Sequence, residues 1–66
     1  MEVVVNGERR RVTENLTIRD LLSELEIAAD RVAVERNRVI VPRREWERVL
    51  IEAGDEVEIV HFVGGG

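Results

Sequence analysis

One stretch of this chain places large apolar residues at helical spacing. Ile18, Leu21, Leu22 and Leu25 fall at i, i+3, i+4 and i+7, on one stripe of an α-helix, while Arg19, Asp20, Ser23, Glu24 and Glu26 take the other face. Thr17 precedes the stripe, and its hydroxyl can cap the first turn. Asp20, three residues on, completes a pattern like a capping box with Asp in place of Glu. The predicted helix ends near Ile27 or Ala28. One helix can cover one face of a small sheet, so the other apolar residues have to supply that sheet. At 66 residues the chain is a single domain. A domain of this size buries only about 60% of the surface of its unfolded chain, which leaves little room for an enclosed active site.

The other apolar residues come in short β-branched runs separated by turn signals. Val3, Val4 and Val5 read as a strand. Asn6-Gly7 follows, a strong hairpin signal because both positions of a type I′ turn need positive φ. A second strand over residues 9–14 has Val12 as its only large apolar residue and reads as an edge strand protected by charge. Beyond the helix, residues 31–35 alternate polar and apolar through Val32 and Val34. Asn37-Arg38 makes the next turn, and Val39, Ile40 and Val41 form a short strand that Pro42 ends by removing a ladder donor. Residues 44–49 form a brief helical turn that buries Trp46. Ala53-Gly54-Asp55 is a turn, residues 56–62 are the last strand, and Val63-Gly64-Gly65-Gly66 is a tail. The predicted organisation is a domain over residues 1–63 and a flexible glycine tail over 64–66. The order β-β-α-β-β-β is that of an α+β fold of the β-grasp kind, a mixed sheet with one main helix and its last strand parallel to its first.

Composition removes most catalytic chemistry. There is no Cys and the only His is His61, so thiolate chemistry, the usual zinc ligands and a Cys-His or Ser-His nucleophile lack raw material. Neither a metal site nor a catalytic residue of its own is expected. With 14 acidic and 10 basic residues the net charge is −4, against the basic balance of a nucleic-acid binder. All 10 basic residues are Arg, so no side-chain amine is present. No apolar run approaches the roughly 20 residues of a membrane span, and the N-terminus lacks a signal-peptide pattern. The expected location is the cytoplasm.

The tail carries the remaining chemistry. Three glycines at an end have a bland reading as a frayed terminus or leftover linker. Here they follow directly from a strong strand. Glycine lacks Cβ, so such a backbone can pass through a narrow channel, and a terminal Gly66 leaves its carboxylate unhindered. An ionised carboxylate is a poor electrophile, and the chain offers no catalyst to activate it, so another protein must do so.

A β-grasp order ending in Val63-Gly64-Gly65-Gly66 resembles the ubiquitin-like sulfur carriers. Arg38-Val39-Ile40-Val41-Pro42-Arg43 with Trp46 three residues on, then Gly54-Asp55-Glu56-Val57-Glu58-Ile59, resembles in particular the ThiS family of the thiamine pathway. The resemblance covers essentially the whole chain. It implies a protein cosubstrate rather than an enzyme. An ATP-dependent adenylyltransferase of the ubiquitin-activating type (ThiF-like) makes an acyl-adenylate at Gly66. A persulfide, traced to a sulfur donor such as a cysteine desulfurase, converts it to a thiocarboxylate, and a thiazole synthase (ThiG-like) takes the sulfur into the thiazole ring. Gly65 and Gly66 carry over as the family's terminal pair, with Gly64 as an extra glycine that threads into partner sites with Gly65. No bound cofactor is implied, since the partner uses the ATP. The alternatives are a carrier like the small subunit of molybdopterin synthase, or a ubiquitin-like modifier.

Strand alternation gives one more candidate. Val57 and Ile59 should face the helix and Glu58, Val60 and Phe62 should face away, with Val4 pointing outward from the first strand. Val4, Val60 and Phe62 are therefore predicted to form an exposed apolar patch near the tail that docks partners, against a plain reading as scattered surface residues. Trp46 is expected in the core and His61 at the surface. Arg9, Arg10 and Arg11 are expected along a solvated edge. Glu52, Asp55, Glu56 and Glu58 read as a solvated face, or as acids that pair with a basic partner.

Overall fold

The computed structural model describes residues 1–62, so the tail expected at 64–66 lies outside the described residues. The chain forms β1 (Glu2–Val5), β2 (Glu8–Arg11), α1 (Ile18–Glu24), β3 (Val32–Arg36), β4 (Val39–Ile40) and β5 (Glu56–His61), with 3-10 turns at Ala29–Arg31 and Arg43–Glu45. One sheet of 5 strands runs in the order β2-β1-β5-β3-β4. Its last strand lies parallel to its first, with Val4 beside Glu56 and Val5 beside Val57, while every other pairing is antiparallel. The β-grasp order is as expected. No helix among the described residues is long and apolar enough to cross a membrane.

Both tight hairpins follow from local chemistry. Asn6 and Gly7 have φ of 50° and 82°, and Asn37 and Arg38 have φ of 51° and 71°, the left-handed pairs a type I′ turn requires. β2 is an edge strand whose 4 residues are all exposed. Its charged side chains discourage a further strand from pairing there. β2 stops at Arg11, short of the expected residue 14. Val12 has turned into the core, and its N–H donates to the Met1 carbonyl at 2.8 Å.

The helix starts as its sequence dictates. The Thr17 hydroxyl accepts from the Asp20 N–H and the Asp20 carboxylate accepts from the Thr17 N–H, both at 3.1 Å, which closes the capping box. Ile18, Leu21 and Leu22 are buried against Val3 and Val5 of β1, Val32 and Val34 of β3, and Val57 and Ile59 of β5. Each such side chain contributes about 1.5–3 kcal/mol relative to exposure. The helix ends at Glu24, a turn before the expected Ile27 or Ala28. Glu26 takes φ of 59°, its N–H donates to the Ser23 carbonyl at 3.0 Å, and the Ile27 N–H donates to the Leu22 carbonyl at 2.9 Å. That pair of bonds is a Schellman ending, with Glu where glycine is usual. Ile27 then folds back onto the core.

Three other expectations are adjusted. β4 ends at Ile40, because Val41 leaves the strand to bury its side chain, though its N–H still reaches the Val34 carbonyl at 2.9 Å. Trp46 is buried as expected, its indole N–H donating to the Val41 carbonyl at 2.8 Å, but the turn before it is a 3-10 turn at Arg43–Glu45. Asp55 is the larger correction, since it is 7% exposed and belongs to no solvated acidic face. Its carboxylate accepts from Arg36 Nε at 2.7 Å, Asn37 Nδ2 at 3.1 Å and the Glu52 N–H at 2.8 Å. It thereby joins the β3–β4 turn to the loop entering β5.

Candidate functional site

With α1 on one face of the sheet, the other face is open, and β5 crosses its middle. Val57 and Ile59 are in the core, and Glu56, Glu58 and Val60 alternate outward. Val60 faces outward from β5 as expected, and Phe62, one residue past the strand, is exposed too, at 51% and 58% respectively. His61 is exposed and Trp46 buried. Phe62 is the last described residue, and its N–H donates to the Arg31 carbonyl at 2.8 Å. Gly64, Gly65 and Gly66 lie outside the described residues.

Val4 does not join the patch. It lies on the open face and is half-buried, between Arg9 of β2 and Glu56 of β5. Val60 is 4 residues beyond Glu56 along β5, roughly 13 Å at strand rise, with outward-facing Glu58 between. The neighbour of Val60 is Ala33, directly across on β3. The exposed apolar group at the end of β5 is therefore Val60 and Phe62 with Ala33.

Acids border this group. Glu58 stands directly opposite Glu35 across the β5–β3 ladder, and Ile40, 66% exposed, is opposite Glu35 on its other side. Like charges directly opposite in a ladder are unfavourable. The exposed contact of Arg38 with Glu56 at 4.0 Å relieves little of it. Among the described residues no cavity opens, and no three potential ligands converge on a metal position. The surface around Val60 and Phe62 is thus apolar, with acids at Glu35 and Glu58 and an exposed cation, Arg31, opposite Phe62.

Two features that hold β5 escaped the sequence reading. β1 stops beside Val57, but the Asn6 side chain continues its edge, accepting from the Ile59 N–H at 2.7 Å and donating to the Ile59 carbonyl at 3.2 Å. The carboxamide acts there as a substitute peptide group; Asn6-Gly7 signalled only the turn. The second is the Asp55 carboxylate. Burial pushes it up, but the Glu52 N–H, the Arg36 guanidinium and the Asn37 amide together hold it below the usual carboxylate range. Asp55 in a Gly-Asp turn looks like any turn acid, and only tertiary placement brings Arg36 and Asn37 to it.

A family model described as the ThiS family matches residues 3–66. The chain is 38% identical to the crystal structure of a thiamine biosynthesis protein (ThiS) from Geobacter metallireducens, each covering 100% of the other, with a TM-score of 0.89. It is 44% identical over 50 residues to the sulfur carrier protein ThiS of Bacillus subtilis, covering 76% of each. It is also 46% identical over all 66 residues to a thiazole synthase of Paramagnetospirillum magneticum, of whose length it spans 20%.

Proposed function

This chain belongs to the ThiS family, and on that premise we propose that it is the sulfur carrier of thiamine biosynthesis that holds sulfur as a thiocarboxylate on Gly66. It is a carrier, not a catalyst. The observation that carries the reading is the end-to-end correspondence with the solved Geobacter metallireducens ThiS at a TM-score of 0.89.

The reaction follows from the chemistry of a carboxylate. One oxygen of the Gly66 carboxylate attacks the α-phosphorus of ATP on an adenylyltransferase of the ubiquitin-activating type, and pyrophosphate leaves. A persulfide then attacks the acyl carbon, the bond to AMP breaks, and a C–S bond forms. Thiol cleavage of the remaining S–S bond leaves the thiocarboxylate and a disulfide. Gly64 and Gly65 let the chain thread into both partner sites because no Cβ obstructs them. A thiazole synthase takes the sulfur, and the match within the Paramagnetospirillum magneticum thiazole synthase supports that partner. A cysteine desulfurase fits as the source of the persulfide.

A glycine tail presents only backbone and a carboxylate, so partner selection belongs to the folded domain. Val60 and Phe62, with Ala33 beside them, supply an exposed apolar anchor at the end of β5, and Glu35 and Glu58 favour a cationic border on the partner. Val4 contributes at most from a separate point on the same face. Incubation with the adenylyltransferase, ATP and a persulfide donor tests the proposal. The intact mass should rise by the difference between sulfur and oxygen. A stable amide to another protein would instead identify a modifier.

A further inference from the structure

We propose that Arg43 is a positioning residue that fixes the point from which the tail leaves the domain. This inference rests on the sulfur-carrier reading. Residues 63–66 start from Phe62, so their origin depends on what holds Phe62. Its N–H donates to the Arg31 carbonyl at 2.8 Å, the last backbone hydrogen bond along the chain among the described residues. Arg31 closes the 3-10 turn at Ala29–Arg31, part of the crossover from α1 to β3. That turn has no side-chain cap of its own.

A long-range tether of this turn comes from the other 3-10 turn. Arg43 Nη2 donates to the Ala29 carbonyl at 2.5 Å, across 14 residues of chain. The same guanidinium lies over the Trp46 ring, its Cζ 4.8 Å from the centroid. Trp46 is 1% exposed and its indole N–H is bound to the Val41 carbonyl, so the ring is an immobile shelf. A planar guanidinium can stack on that shelf and donate sideways at once, which an ammonium cannot do. The contacts run from Trp46 to Arg43, to Ala29, through the turn to Arg31, and so to Phe62. The contacts of Arg43 among the described residues are with the turn and the Trp46 ring, so it acts through placement. A tail starting from a fixed point spends less of its search outside the reacting geometry.

The test compares Arg43→Ala and Arg43→Lys with Arg44→Ala, an exposed neighbour without these contacts. Amide hydrogen exchange of Phe62 and of Ile59 is followed by NMR, and the adenylyltransferase is assayed by carrier-dependent ATP–pyrophosphate exchange. In Arg43→Ala the Phe62 amide should exchange about tenfold faster or more while Ile59, whose N–H is held by the Asn6 carboxamide, is unchanged. kcat should fall with KM nearly unaltered, because the open face is intact. Arg43→Lys should restore part of the Phe62 protection, and Arg44→Ala should match wild type. Unchanged Phe62 exchange, uniform acceleration of both amides, or selective acceleration with unchanged kcat would each overturn the role of Arg43. Wild type that supports no pyrophosphate exchange would overturn the carrier reading itself, and with it the need for a positioned tail.

Discussion

Glu26 and Asp55 show how much of this small fold rests on single residues. Glu26 occupies the left-handed position that ends α1, with φ of 59°. A Cβ there strains against the following carbonyl, whereas glycine does not. Glu26→Gly should therefore stabilise the domain by about 1 kcal/mol, read as a higher urea midpoint with an unchanged slope. A lower midpoint would mean that the Glu26 side chain contributes more than its backbone costs. Asp55 leads to a pH dependence. Its folded-state pKa is held below the ordinary value, about 3.9 in an unfolded chain. The ionised carboxylate thus contributes stability that is complete above the unfolded value and is lost as pH falls through the folded one. Asp55→Asn should cost about 1–3 kcal/mol at neutral pH and flatten the loss of stability in the acid range. Urea titrations of both proteins at neutral and acid pH check this, and parallel acid losses would show that Asp55 is not the group responsible. Neither residue was legible in the sequence. Glu26 sat on the predicted polar face of a longer helix, and nothing local in the chain links Asp55 to Arg36 and Asn37.

The elements were legible where a local signal and a buried face agreed. The stripe of Ile18, Leu21 and Leu22 gave α1 its phase, and all three are buried. Leu22, 1% exposed, should cost about 2–5 kcal/mol on replacement by Ala, most of it in a faster unfolding limb if the helix docks late. A loss below roughly 0.5 kcal/mol, the usual surface range, would contradict the packing. Asn6-Gly7 and Asn37-Arg38 marked both hairpins because their positive φ is a property of the turn itself. Ends were less legible because tertiary burial decides them. Val12 and Val41 leave their strands for the core, and Ile27 is drawn back by the helix ending. The phase of β5 followed from alternation, which is why the exposure of Val60 was predictable. The distance of Val4 was not, because periodicity assigns a face but only the parallel register places Val4 beside Glu56.

At the scale of the whole molecule, the domain serves in the proposed cycle as a mount for a short reactive end. Its central strand, held by β1, β3, the Asn6 clasp and the Asp55 cluster, runs toward the residues that the sequence singled out. The β-grasp order was legible because its elements rest on residues contiguous in the chain. The acidic border of Glu35 and Glu58 was not, because it exists only across a ladder. Phe62→Asp should leave stability within roughly 0.5 kcal/mol of wild type while weakening binding to the adenylyltransferase or the thiazole synthase. Calorimetric titration and thermal unfolding of one preparation decide it, and unchanged affinity for both partners would remove this anchor from the mechanism. The central claim, that Gly66 bears the sulfur, is met most directly by fragmenting the carrier in a mass spectrometer after incubation with the adenylyltransferase, ATP and a persulfide donor. The account predicts that the sulfur-for-oxygen mass difference appears in every fragment containing Gly66 and in none lacking it. A difference in fragments without Gly66, or none in the intact chain, would contradict it.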